Sequence, residues 1–213
     1  SCVGCHEEKG GLNFDMKRLA GKELEPKGAP KTMSFPVTIQ SAYDKENAYI
    51  RVSFKAPAGA FDPADKDNEV KVAMMFANAD VPKGDQVGCW ATCHGDARTM
   101  PGADDKKTKY TKSGAYELMQ WKSAAGAKAV DGSVSDTRKM EGGTANVQVE
   151  GGKSGDTYTV TFTRKLSGAL AEGKAVPFGV AVHADHATGR FHHVSMGYTM
   201  GFGVDADVKS AKQ

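Results

Sequence analysis

The chain has 213 residues, 39% of them hydrophobic and 25% charged, with a formal net charge of +2. This is the composition of an ordinary globular protein of one large or two small domains, which excludes a disordered or polyionic chain. The charge is too small to imply nucleic acid or an anionic membrane as partner, and no run of about 18 apolar residues is present to span a bilayer.

The chain opens on Cys2-Val-Gly-Cys5-His6. This is C-x-x-C-H, the attachment signature of a c-type haem. Two thiols add across the haem vinyl groups, and the histidine that follows binds the iron from the proximal side. The chain starts at Ser1 with no signal peptide ahead of the motif. Haem c is attached only after export, so a mature form or a piece of a longer protein is expected, with a periplasmic location. Residues 1–33 are irregular, rich in glycine and lysine and closed by Pro26 and Pro30. They read as an arm that carries its haem and relies on the body, residues 34–213, to cover it.

From Ser34 onward the pattern is that of strands. Phe35-Pro-Val-Thr-Ile-Gln-Ser alternates apolar and polar residues, Tyr43-Asp-Lys-Glu-Asn reads as a turn, and Ala48-Tyr-Ile-Arg-Val-Ser-Phe alternates again. Residues 56–67 are a Pro- and Asp-rich loop. Val70-Lys-Val-Ala-Met-Met-Phe-Ala is more continuously apolar and predicts a central strand.

A loop then delivers the chain to Cys89-Trp-Ala-Thr-Cys93-His94, a second attachment motif with one extra residue between its cysteines. Trp90 inside it is expected to pack on the haem. The two motifs use all four cysteines of the chain. Two disulfides would also use them, but neither bridge calls for a histidine after the second cysteine. A structural zinc site built on Cys2, Cys5, Cys89 and Cys93 would leave His6 and His94 without a role.

Beyond this motif, residues 104–114 are polar and are expected to be exposed and mobile. Tyr116-Glu-Leu-Met-Gln-Trp-Lys fits a strand or one short helix, and residues 125–143 read as a Gly- and charge-rich loop. Strands are predicted over residues 144–150, 157–164, 176–183 and 192–202, the first two joined through Gly-Gly-Lys-Ser-Gly. The residues after Asp205 read as a frayed tail. Short strands separated by Gly and Pro turns, with little helix, predict a mainly β fold: a β-sandwich holding haems in its loops.

A six-coordinate iron needs a ligand opposite its proximal histidine. Apart from His6 and His94, the histidines are His183, His186, His192 and His193, all within Ala-Val-His183-Ala-Asp-His186-Ala-Thr-Gly-Arg-Phe-His192-His193-Val-Ser. As strand, loop and strand, this segment sets His183 opposite His192 on one face and turns His193 to the other. His183, His192 and His193 are thus candidate iron ligands, able to serve two different irons, whereas His186 in the loop is expected to be a surface histidine or a hydrogen-bond partner of a haem propionate. Met75, Met100 and Met196 are the competing ligands, and His/Met ligation would raise the potential. Met74 and Met75, on an apolar strand, also fit a core role. Arg98 and Arg190 are candidate partners of haem propionates.

Three stretches, Val-Ala-Met-Met-Phe, Gly-Cys-Trp-Ala-Thr-Cys-His-Gly-Asp-Ala-Arg-Thr-Met-Pro and Gly-Arg-Phe-His-His-Val-Ser, together resemble the haem-binding domain of the gamma subunits of ethylbenzene dehydrogenase and dimethyl sulfide dehydrogenase. The resemblance covers roughly residues 35–203. It implies a β-sandwich holding haem at one end. In those subunits the haem is b-type, held by a Met that would fall near Met75 and a Lys that would fall near His192. This chain departs from that pattern with covalent motifs and a histidine pair, and so is similar to the c-type members found in multihaem cytochromes of respiratory bacteria. The expectation is an electron carrier with two haem c groups, exchanging electrons with quinol-linked or periplasmic donors and a terminal reductase or another cytochrome. It is not expected to be an enzyme. A dihaem peroxidase or reductase, or a haem-based redox or gas sensor, would need one open or switchable iron.

Overall fold

The computed structural model describes residues 32–59, 64–78, 80–81, 84–85, 114–135, 137–188 and 191–213. Both attachment motifs, and with them Cys2, Cys5, His6, Cys89, Trp90, Cys93 and His94, lie outside the described residues, as do Arg98, Met100 and Arg190.

The described chain forms twelve strands: β1 (Val37–Tyr43), β2 (Asn47–Lys55), β3 (Lys71–Ala77), β4 (Tyr116–Lys122), β5 (Val130–Val134), β6 (Arg138–Lys139), β7 (Gln148–Ser154), β8 (Thr157–Lys165), β9 (Lys174–His183), β10 (His193–Val194), β11 (Tyr198–Phe202) and β12 (Val208–Lys212). They make one curled sheet in the order β6-β5-β4-β3-β9-β11-β12-β1-β2-β8-β7, with β10 beside β9. The sheet folds on itself as a sandwich. One layer is built on β1, β2, β7 and β8, the other on β3, β4, β9 and β11. β12 joins them by running parallel to both β11 and β1.

Alternation sets the inner face. In β2, Ala48, Ile50, Val52 and Phe54 are buried, and they pair with Arg164, Phe162, Val160 and Tyr158 of β8. Phe54 and Tyr158 stack across this ladder with centroids 5.8 Å apart. From the other layer Val72, Met74, Phe76, Phe178, Val180 and Val182 complete the same core. The β3 strand is central, between β4 and β9, and is apolar on both sides. Its outer face joins Met75 and Ala77 to Tyr116, Leu118, Val130 and Val134 in a second apolar cluster. At one end the layers are fastened by buried Arg164, which donates to Glu117 of β4 and to the Ser167 carbonyl.

Five expectations are settled or change. The undecided segment at residue 116 is a strand, β4; both its faces are buried, which hides the alternation. The expected loop at 125–143 contains β5 and β6. β7 sits four residues later than its predicted range, and the hairpin turns at Gly155-Asp156. Gly151 lies within the strand because the Trp121 ring fills the space of a Cβ there. The expected frayed tail is β12, tied by Ser210 Oγ to Ser41 Oγ at 2.8 Å and by Gln213 N to the Tyr43 carbonyl at 2.8 Å.

The predicted strand at 192–202 is two strands. His193 pairs with Val182, whereas Tyr198 pairs with Phe178, so the register slips by one residue between them. Ser195 makes the bend: its Oγ accepts from Val180 N at 2.8 Å, and its own N–H donates to the Val180 carbonyl at 2.8 Å. This is a β-bulge, which kinks the strand and resets its pairing.

Candidate functional site

The three candidate ligand histidines lie where β9 meets β10. His183 is the last residue of β9, and the register of β10 places His192 across from it. The rings are close and tilted, with centroids 4.7 Å apart and planes at 32°. They project from the outer face, the one that carries Met75 and Leu118, because His183 is level with Lys71 of β3, and Lys71, Ala73 and Met75 alternate onto that side. Between His183 and Met75, β3 and β9 present only the small residues Ala73, Ala181 and Gly179 on this face over about 13 Å, with Val194 of β10 and Gln120 of β4 on either side.

His193 points the other way, towards the space between the layers. Its ring meets the Phe35 ring edge-on at 4.9 Å, and its Nε2 lies 2.7 Å from the Thr32 carbonyl oxygen. A carbonyl only accepts, so Nε2 carries the proton and Nδ1 the lone pair. That Nδ1 is buried and meets no hydrogen-bond donor among the described residues. Metal-ligating histidines commonly donate their other ring N–H to a backbone carbonyl in this way, which fixes the tautomer and the ring's orientation. His193 lines a cleft of about 950 Å³ whose walls include Phe35, Ile39, Phe178, Val180 and Val182. That is the upper part of the roughly 300–1,000 Å³ range of cofactor and ligand pockets.

The turn behind His183 is held firmly. Asp185 and His186 both take positive φ, 52° and 62°. Gly59 N donates to Asp185 Oδ2, and His186 N donates to the Glu69 carbonyl at 2.9 Å. His186 Nδ1 lies 2.7 Å from the Asp65 carbonyl oxygen. Its ring therefore ties the turn to the 64–69 loop and lines a separate cavity of about 330 Å³ beside Glu69, Lys153 and Tyr158. In that cavity burial and the nearby Glu69 push the Tyr158 hydroxyl up to about 12.

Beneath the turn, Lys71 donates to the Asp65 carboxylate and to the Ala187 carbonyl at 3.0 Å. Burial alone would raise the Asp65 carboxyl. Hydrogen bonds from Lys71 and from Asn68 outweigh it and bring the group down to about 2.

The methionines divide clearly. Met74 is fully buried in the inner core, and Met75 lies in the outer cluster. Met196 stands exposed at the rim of the cleft. Thr32, Phe35, Asp65 and Lys71 were not foreseen as part of the site. The contact between Thr32 and His193 spans 161 residues and has no local signal in the sequence. Among the described residues no three His, Cys, Asp or Glu side chains gather as a metal site.

The hairpin thus presents imidazoles on both of its faces. The family model described as ethylbenzene dehydrogenase matches residues 16–166, more than half of the chain. Cytochrome c-551 of Rhodocyclus tenuis is 46% identical over 213 residues, covering all of this chain and 83% of that protein. Cytochrome c-552 of Stutzerimonas stutzeri is 46% identical over 227 residues, covering all of this chain and 77% of that protein. A solved carbohydrate-binding module of family 9 from Caldicellulosiruptor kristjanssonii, in complex with glucose, is 10% identical with a TM-score of 0.40 over 88% of this chain and 78% of that one, too distant to bear on function. The chain belongs to the ethylbenzene dehydrogenase family, as the gamma-subunit resemblance implied, and within it to the c-type cytochromes.

Proposed function

We propose that the chain is a periplasmic dihaem c-type cytochrome that carries electrons between respiratory donors and a terminal reductase or another cytochrome. Cys2, Cys5 and His6 would hold one haem, and Cys89, Cys93 and His94 the other, with Trp90, Arg98 and Arg190 around them. The observation that carries this reading is the hairpin: His183 and His192 on one face and His193 on the other supply a further imidazole for each of two irons. The kinship with proteins named cytochromes c supports covalent attachment.

When bound, haem supplies one-electron exchange at its iron. The protein's part is ligation and shielding. The Thr32 carbonyl holds the His193 proton on Nε2, and the Phe35 ring edge fixes the plane of the imidazole. The αL turn at Asp185 and His186, locked to the 64–69 loop, holds the end of β9 so that His183 and His192 stay in register. Held imidazoles on both irons leave no open position for a substrate, so the proposed role is electron carriage, with other redox proteins as partners. The N-terminal 33 residues are proposed as the arm that brings the first haem to the sandwich.

The test is a pyridine haemochrome assay with intact mass on the purified protein, followed by carbon monoxide added to the reduced form. Two covalent haems and no carbon monoxide shift are expected. Fewer than two haems refutes the dihaem reading. A clear shift replaces the electron carrier with a peroxidase, reductase or sensor.

A further inference from the structure

We infer that the Asp65–Lys71 ion pair is an electrostatic control on the imidazoles of His183 and His192. The Lys71 ammonium raises, and the Asp65 carboxylate lowers, the reduction potential of the iron that these imidazoles ligate. This deepens the proposed haem ligation and rests on it.

The strands bring the groups into one row. Lys71, the first residue of β3, pairs on one side with His183, the last of β9, and on the other with Lys122, the last of β4. Residues level in neighbouring strands stand on the same face, with Cα atoms about 4.5–5.5 Å apart. The register of β10 adds His192 beyond His183, and the two rings lie 4.7 Å apart. Across four strands the face thus presents Lys122, Lys71, His183 and His192: two cations, then two imidazoles.

Two carboxylates stand near this row, and each has its own partners. Asp185, in the turn, accepts from Gly59 N. Asp65 accepts from Lys71 Nζ and from the backbone and side-chain amides of Asn68. Lys122 has no ion-pair partner among the described residues. Asp65 is therefore the carboxylate that balances the lysines of the row.

Both charges are shielded and held in place. The Lys71 and Asp65 side chains are 12% and 17% exposed, and charges so placed are screened far less by water and salt than charges on the open surface. Lys71 Nζ also donates to the Ala187 carbonyl at 3.0 Å, and Asp65 N donates to the His186 carbonyl at 3.0 Å. The pair is thus tied to the turn that follows His183 and keeps a set place beside it. An iron gains one positive charge on oxidation. A nearby ammonium opposes that change and a nearby carboxylate favours it, so the two charges move the potential in opposite directions. The surroundings of a ligating imidazole are among the levers a protein has on an iron's potential.

The experiment is an equilibrium redox titration of the intact holoprotein, followed in its visible absorption bands. Asp65→Asn leaves Lys71 and Lys122 unbalanced and is expected to shift one potential upward. Lys71→Met leaves the carboxylate unbalanced and is expected to shift the same potential downward; if that variant does not fold, Lys71→Gln takes its place with the same expectation. The double variant Asp65→Asn/Lys71→Met is expected to return close to the parent. A turn that is only loosened would move both single variants the same way. Shifts of like sign therefore overturn the inference, as does no shift in either variant or an equal shift of both haems. The ligation beneath it is checked separately, by adding carbon monoxide to the reduced His183→Ala/His192→Ala protein. If that protein binds carbon monoxide while the parent does not, the pair ligates an iron, and unmoved potentials then refute the electrostatic control alone. If it binds none, the ligation itself is refuted.

Discussion

Asp65 lies at the foot of the histidine hairpin, and replacing it with Asn removes one charge while keeping the side chain's shape. In the parent, its carboxylate accepts from Lys71 Nζ and from the backbone and side-chain amides of Asn68, and it is 17% exposed. Lys71 in turn reaches the Ala187 carbonyl, so the pair ties β3 to the turn that follows His183. The carboxyl falls from 3.8 to about 2 on folding. At about 1.36 kcal/mol per pKa unit this is worth about 2 kcal/mol near neutral pH. The folded value is the lower one, so the contribution is fully present above pH 3.8 and is lost as pH falls through about 2. Asn mimics the protonated acid. Asp65→Asn should therefore be destabilised by about 2 kcal/mol at pH 7, roughly 4–8 °C in Tm for a chain of this size. The gap should shrink to roughly a few tenths of a kcal/mol near pH 2. Denaturant unfolding of parent and variant holoprotein at matched pH measures it. A gap of the same size at both pH values would show that the position acts through shape and not charge. No gap at pH 7 would show that the ion pair contributes nothing net.

Three further perturbations probe the scaffold. Glu117→Gln leaves the Arg164 guanidinium buried without its charge partner; since Glu117 is 35% exposed, the loss in chemical denaturation should fall at or below the lower end of the roughly 3–5 kcal/mol seen for broken buried pairs. Adding Arg164→Met should recover part of that loss, and no recovery would refute the charge argument. Gly151→Ala drives a methyl into the Trp121 ring and should cost about 1–3 kcal/mol with a shift in tryptophan emission, whereas Gly152→Ala next to it, where a Cβ meets open space, should be nearly silent. Truncation after residue 206 removes β12, the only strand that joins β11 to β1 among the described residues, and should abolish cooperative unfolding by circular dichroism. A frayed tail in that position would be lost without effect.

The parts of the fold that were legible in the sequence are those with one wet face. β2 and β8 alternate cleanly because the inner core takes every second residue, and the facing of His183, His192 and His193 follows from the same period. Where the period fails, a continuous apolar run such as that of β3 still marks a strand, and without such a run the reading fails. β4 is buried on both sides and offers no alternation. β5 carries Gly132 at its middle, where the Lys139 carbonyl occupies the place of a side chain, so a packed strand looks like a loop. β12 buries only Ser210, and its strand character comes from pairing on both edges and not from apolar content. Likewise, a cleft formed by residues 32–36 and 192–196 has no signature in either segment alone.

That last point bears on why a sheet is an apt carrier for axial ligands. A helix places neighbouring residues about 100° apart, so two adjacent histidines on it would crowd one side. A strand places them on opposite faces with no loop to order between them. The bulge at Ser195 lies two residues beyond His193, and it bends the chain away before the pairing with β9 resumes at Tyr198. The bend leaves β10 only two residues long, short enough for both of its faces to stay accessible at the edge of the inter-layer cleft. Straightening the bulge would continue the ladder and put β11 one residue out of step. Met200 and Phe202, which are now fully buried, would then turn away from the core. The core thus enforces the bulge, and the bulge in turn sets where His192 and His193 stand.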